Sequence, residues 1–276
     1  MSTPVIQIHT KNSEFQYIET LRRNRVKRNQ SKEFFVEGVR SIDQALNNSW
    51  SINAFVYTRE KRLSNWAERI LENSKAKKHY ELPAHLLKEV SQREDPSELI
   101  ALVAMPKDEL ARIPVRENPL IVVLDRPILP GNIGSVIRSC DALRVDGLLI
   151  TGHSADLYDP ETIRATTGSF FSIPTVRLPS HRELIPWIEM MKDRFTELRI
   201  VGTSAKATVP IDAFNFRLPT VLLAGNETHG ISENYRELCD ELTTIPMSGS
   251  ASSFNLACAV SIMLYEIDRQ RRSANV

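Results

Sequence analysis

At 276 residues the chain exceeds one average domain, and its 42% hydrophobic and 25% charged content is ordinary for a globular protein, so two domains is the starting expectation. A formal net charge of +1 excludes a nucleic-acid footprint spread over the whole surface, so any such surface is local. Three cysteines, Cys140, Cys239 and Cys258, are odd in number with no C-x-x-C pair, which argues for reduced thiols in a cytosol and against a disulfide framework.

Met1 to His9 shows neither the basic start nor the apolar centre of a signal peptide. The run LRRNRVKRNQSK (21–32) follows, with Arg22, Arg23, Arg25, Lys27, Arg28 and Lys32 and no acidic residue. Such a run is most often a solvated face, but its density beside asparagines and glutamine also suits phosphate contacts. Strand-like runs then recur as FFVEG (34–38), INAFVYT (52–58) and LIALVAM (99–105), with helical stretches at about 38–48, 62–73 and 83–91. This alternation predicts an α/β unit over residues 1–106. PKDELARIPVRENP (106–119) breaks the pattern with prolines and charges, which predicts a linker at 107–118.

From 119 to 276 the alternation restarts. LIVVLD (120–125) leads to a helix from about 134 to 144 and then GLLIT (147–151). IPTVRL (173–178), LRIVGT (198–203), TVLLAG (220–225) and LTTIPM (242–247) are further strand candidates. Continuous apolar runs of this kind suit a parallel sheet covered on both faces. A last helix at about 254–269 puts Leu256, Val260, Met263 and Ile267 on one stripe, with Arg269, Arg271 and Arg272 at the end where the macrodipole favours cations. Its LACAVSIML segment (256–264) is too short to span a bilayer, and the expectation is a soluble, cytoplasmic protein.

PGNIGSVIRSCDAL (130–143) is the first segment that could carry chemistry, a glycine-bearing joint between strand and helix. Its G-x-x-G spacing fails the G-x-G-x-x-G dinucleotide fingerprint. If the helix starts near Ile133, Asn132 sits at or near the N-cap, and Gly134 and Arg138 share a face. Two later joints resemble it: LLAGNETHGIS (222–232), holding Gly225 and Glu227, and TTIPMSGSASSFNLACAVSIMLYE (243–266), holding Ser253 and Asn255. Each is open to a bland interpretation as a helix cap or a solvated charge. Three polar, glycine-bearing loops at strand ends are nevertheless expected to gather on one rim of a parallel sheet, where open α/β sheets bind ligands.

The ordered trio NIGSVIR (132–138), GNETHGIS (225–232) and IPMSGSASSFNLA (245–257) resembles the three motifs of the SpoU (TrmH-type) RNA 2′-O-ribose methyltransferases, and IRATTGSFFSIP (163–174) resembles that family's R-A-S-x-G segment. RNQSKEFFVEGVR (28–40) resembles the start of the ribosomal-protein-like substrate-binding domain often fused to it. The resemblance implies a C-terminal parallel-sheet domain with a trefoil knot, of the SPOUT type, plus a smaller N-terminal α/β RNA-binding domain. It implies S-adenosylmethionine as cofactor, structured RNA (ribosomal or transfer) as substrate, and a homodimer. Arg138 matches the catalytic arginine, acting either to activate the 2′-hydroxyl directly or as a phosphate clamp that stabilises the developing alkoxide. Asn132, Glu227, Ser253 and Asn255 match the other catalytic motif positions, while Gly225, Ile245 and Phe254, with Thr203 less strongly, fall where the cofactor is contacted. Arg22, Arg23, Arg25, Lys27 and Arg28 become candidate RNA contacts, and Arg164 extends that surface. No metal is expected: a sulfonium methyl is already reactive, and the histidines lack zinc-ligand spacing.

Overall fold

Side-chain caps and glycine or proline stops divide the chain into short elements in the computed structural model, which describes residues 3–91 and 93–273. The first stretch runs β1 (Val5–Gln7), α1 (Ser13–Arg23), α2 (Arg25–Ser31), β2 (Glu33–Glu37), α3 (Val39–Asn47), β3 (Ile52–Tyr57), α4 (Asn65–Glu72), β4 (Lys78–Glu81), α5 (Ala84–Ser91) and β5 (Leu99–Ala104). The basic run is two helices, because Asn24 leaves helical geometry and its side chain caps the second by accepting from the Lys27 amide at 3.1 Å. Lys32, in the left-handed region at φ 56°, ends α2 and turns the chain into β2.

The second stretch runs β6 (Leu120–Asp125), α6 (Pro130–Ala142), β7 (Gly147–Thr151), α7 (Pro160–Ala165), β8 (Thr175–Leu178), α8 (Leu184–Arg194), β9 (Arg199–Thr203), β10 (Val209–Pro210), β11 (Thr220–Ala224), α9 (Glu233–Arg236), β12 (Glu241–Thr244) and α10 (Leu256–Ser273). The chain forms two compact units: residues 1–107 with 156–172, and residues 108–155 with 173–276.

The first unit holds a mixed five-stranded sheet in the order β1-β4-β3-β5-β2. β5 runs antiparallel to both β2 and β3, whereas β4 is parallel to β1 and β3. Phe15, Ile18 and Leu21 of α1 and Leu86, Leu87 and Val90 of α5 are buried with Phe35, Val56, Tyr80 and Leu102 of the sheet. The segment 156–172 joins this unit through aromatic packing: Phe34 lies 4.8 Å from the Tyr158 ring and 5.6 Å from Phe170, centroid to centroid.

The second unit holds a seven-stranded sheet in the order β10-β12-β9-β11-β6-β7-β8, with every pairing parallel. The apolar runs therefore form a parallel sheet, as their lack of alternation predicts, and every residue of β6, β7 and β11 is buried. Residues 108–118 are not a free linker. Ile113 is buried in the second unit's core, and Arg177 is paired with Asp108 at 2.7 Å, so apolar burial and charge pairing replace hydration. α6 begins four residues before the expected start, with Pro130 in its first turn, where a missing N–H costs nothing. Arg271, placed by the sequence at the helix end where the macrodipole favours cations, also donates to the carbonyls of Phe216, Asn118 and Leu218 at 3.1, 3.1 and 2.8 Å.

Candidate active site

In a parallel sheet the carboxyl ends of all strands share one rim, so the loops after β6, β11 and β12 emerge together. Asp125, the last residue of β6, is 2% exposed; it pairs with Arg126 at 2.8 Å and accepts from the Ser232 amide at 2.9 Å. Arg126 stands at φ 51°, and its carbonyl accepts from the Asn226 side chain at 2.8 Å. Two of the loops are thus joined at their roots.

The loop after β11 folds back sharply. Asn226 and Gly230 exchange two backbone hydrogen bonds, of 3.0 and 2.8 Å, and the Asn226 side chain accepts from the amides of Thr228 and His229. A Cβ on Gly225 would meet the Gly230 carbonyl carbon and the Ile231 nitrogen at 2.1 Å each, so only glycine fits there.

Three polar side chains tie the motifs together. The Asn255 amide donates to the Asn132 carbonyl oxygen at 3.0 Å, and the Asn132 amide donates to Glu227 at 2.8 Å. The other Glu227 oxygen accepts from the Ile128 backbone N–H at 3.1 Å. Asn132 is therefore not the N-cap of α6; it lies inside the first turn, where its side chain bridges two loops. Asn255 also accepts from the amides of Ala257 and Cys258, capping α10 while it holds Asn132. Structural cap and motif residue are one group here. Farther along, the hydroxyls of Ser139 and Ser261, 2.7 Å apart, join α6 to α10.

A cavity of about 320 Å³ opens beside these loops. Its walls include Thr203, Gly225, Glu227, Ile245, Ser253 and Phe254 of the residues singled out from sequence. Lys206, His229 and Met247, on the loops following β9, β11 and β12, also line it, as do Arg236 of α9 and Leu256 and Met263 of α10, whose apolar stripe reads from sequence as core. Asn132, Asn255 and Arg138 stand outside the wall. Arg138 is exposed on α6 and its side chain makes no hydrogen bond or ion pair among the described residues, and Ser253 is likewise exposed. An aliphatic wall, a backbone-lined glycine turn and scattered hydroxyls suit a ligand that is part adenosine and part amino acid. The donor set fits S-adenosylmethionine.

The basic run behaves differently. Arg23, Arg25, Lys27 and Arg164 are exposed, and Arg23 pairs with Glu19 at 2.9 Å. Arg22 is only 8% exposed. Arg28, expected to face RNA, is 1% exposed: its Nε donates to Asp156 at 3.1 Å, and Nη1 donates to the carbonyls of Leu21 and Arg22. That guanidinium is spent on holding the fold, which corrects the expectation.

The model of the SpoU rRNA Methylase family matches residues 119–265, and that of the SpoU L30e-like domain matches residues 12–101. The chain is 45% identical over 267 residues to the 23S rRNA (uridine(2479)-2′-O)-methyltransferase of Streptomyces viridochromogenes, covering 97% of this chain and 93% of the relative. The crystal structure of the SpoU methyltransferase AviRb from that organism, in complex with AdoMet, superposes with a TM-score of 0.88 at 45% identity, covering 95% of this chain and all of the other. An AdoMet-bound rRNA methyltransferase from Sinorhizobium meliloti superposes at 0.83 with 28% identity, over 96% and 98% of the two chains.

Proposed function

Because the chain belongs to the SpoU rRNA methylase family, we infer that it transfers a methyl group from S-adenosylmethionine to a ribose 2′-hydroxyl of structured RNA, ribosomal or transfer. The observation that carries this is the Asn255–Asn132–Glu227 chain, which ties three motif loops beside one cavity on the rim of a parallel sheet.

S-adenosylmethionine, when bound, supplies an activated sulfonium methyl. Gly225, Ile245 and Phe254, with Thr203, line the cavity and would hold that cofactor. Arg138 works as a clamp. A guanidinium stays protonated in proteins, so a general-base role is untenable, whereas its planar fork can grip the phosphate beside the target ribose and stabilise a developing alkoxide. Its exposure, with no acid paired to it among the described residues, supports this role. Ser253, equally exposed, stands near the hydroxyl to be methylated. Asn132, Glu227 and Asn255 are positioning residues that keep the loops in register.

RNA backbone meets the first unit through the exposed Arg23, Arg25 and Lys27, with Arg164 and the buried Arg22 on one cavity wall. Two copies pair through the second unit, a reading supported by Ile128, Leu129 and Tyr265, which are exposed at 47%, 49% and 58%. The trefoil knot remains part of this proposal and rests on the resemblance. A cytoplasmic location belongs to it too; no helix among the described residues is long and apolar enough to cross a membrane.

The test is incubation with methyl-labelled S-adenosylmethionine and undermethylated ribosomal and transfer RNA, followed by mapping of 2′-O-methylated nucleotides. Label at one ribose is the expected result. RNA binding without any transfer would favour a non-catalytic RNA-binding protein, and calorimetric binding of NAD in place of S-adenosylmethionine would overturn the reading.

A further inference from the structure

The first unit contains a cavity of about 310 Å³ whose walls include Arg22, Arg23, Arg93 and Arg164. Two of these arginines have acid partners: Arg23 meets Glu19 at 2.9 Å, and Arg93 lies 3.5 Å from Glu37. The carboxylates on the walls are largely engaged already. Glu37 accepts from Ser91 at 2.7 Å and from the Ser97 amide at 3.1 Å; Asp159 accepts from Arg28 at 3.5 Å and from the Glu161 amide at 2.9 Å. Glu161 is exposed.

Arg22 is the anomaly. It is more than nine-tenths buried, yet its Nε and Nη2 are shielded from water and have no hydrogen-bond partner among the described residues. Burial, and then the neighbouring Arg23 charge, lower its pKa, against the opposing pull of Glu19, Glu37 and Glu89. Buried guanidinium N–H groups are rarely left unpaired, since removing them from water without an acceptor is costly. Arg164 sits in the last turn of α7 on the same wall, exposed, and pairs with no carboxylate among the described residues. Two planar forks on one cavity, neither of them in an ion pair among the described residues, suit a tetrahedral oxyanion, which has oxygens enough to accept from both.

We propose that this cavity is a seat for one backbone phosphate of the RNA, gripped by Arg22 and Arg164 together. The proposal rests on the reading that the chain acts on RNA, and it narrows a diffuse basic surface to a built site that includes Arg93, a residue outside the basic run.

The test uses the full chain, a fluorescently labelled RNA stem–loop, and the variants Arg22→Gln, Arg164→Gln and the double. Affinity is measured across a salt series, with S-adenosylmethionine affinity as a control that should not move. Each single variant should flatten the slope of log K against log salt by about 0.7–0.9, the loss of one phosphate contact. The double variant should flatten it no further, because both arginines hold the same phosphate. A double variant flattened by about twice that amount would mean two independent surface contacts and would overturn the seat. Unchanged slopes with wild-type RNA binding intact would overturn the seat while leaving the methylation reading standing. A wild-type chain without RNA affinity would overturn both. Inorganic phosphate at matched ionic strength separates the sources: it should raise the melting temperature of the wild type and not of Arg164→Gln, and it should compete with RNA. Phosphate binding that leaves RNA affinity untouched would mark a free-anion site and overturn the proposal. Arg164 is exposed, so its variant keeps the test intact even where Arg22→Gln folds poorly.

Discussion

The rim of the seven-stranded sheet and the basic stretch of the first unit both read from sequence as functional, yet their side chains are used in opposite ways. On the rim, Asn132, Glu227 and Asn255 satisfy one another while the Arg138 side chain is exposed and without a partner among the described residues. In the basic stretch, Arg28 is buried against Asp156 and two carbonyls, while Arg25 and Lys27 of the same helix face solvent. The lesson concerns where the counter-charge comes from. A charge in a run is buried or exposed according to acids placed elsewhere in the chain, here at 128 residues' remove.

The largest effect that could break this contrast is on stability. Arg28→Ala leaves Asp156 buried without its cation and should cost about 3–5 kcal/mol, read as a large fall in denaturation midpoint. Arg25→Ala should stay within about 0.5 kcal/mol of wild type. Equal stabilities for the two variants would dissolve the distinction. Replacing both Arg28 and Asp156 with apolar residues of similar volume should recover most of the loss.

On the rim the expectation reverses, with function lost and stability kept. Arg138→Ala should lower the methyl-transfer rate by about 10²–10³-fold with little change in melting temperature or S-adenosylmethionine affinity. Arg138→Lys should fail too, since a point charge does not reproduce the fork. Activity within a few fold of wild type would remove Arg138 from the site.

Gly225→Ala sharpens the contrast from the backbone side. The added methyl collides with the Gly230–Ile231 backbone, and the strain should be about 1–3 kcal/mol. Calorimetry should show weaker S-adenosylmethionine binding alongside unchanged RNA affinity. The smallest effect belongs to Lys27→Gln, which should flatten the salt dependence of RNA binding by at most about 0.7–0.9 and leave stability alone.

Much of the second unit is legible in its sequence. The runs at 120–125, 147–151 and 220–225 are too apolar to be anything but covered strands, and the motif loops follow their strands at short range. Other parts are illegible for physical reasons. β1, with only three residues and its ends exposed, has no alternation to read, and β4 (KHYE) looks polar although His79 and Tyr80 are buried. α1 does carry a readable signal, Phe15, Ile18 and Leu21 at helical spacing after an Asn12 cap, but the charges that follow obscure it. The start of α6 is written in Pro130, a residue that favours the first helical position. The bridging geometry of Asn132 has no local signal, because it is defined by Glu227 and Asn255, about a hundred residues away.

The membership of 156–172 in the first unit also bears on how the protein is made. A ribosome delivers residues in order, and domains generally close as they emerge. Here the first unit has to wait: when β5 is complete, Arg28 still lacks Asp156 and Phe34 still lacks Tyr158 and Phe170, and β6, α6 and β7 are synthesised in between. A nascent chain stalled near residue 107 would therefore hold an unneutralised arginine and an uncovered aromatic surface, a natural station for a chaperone. Cutting the gene at that point would leave Arg28 without Asp156 and Phe34 without Tyr158 and Phe170.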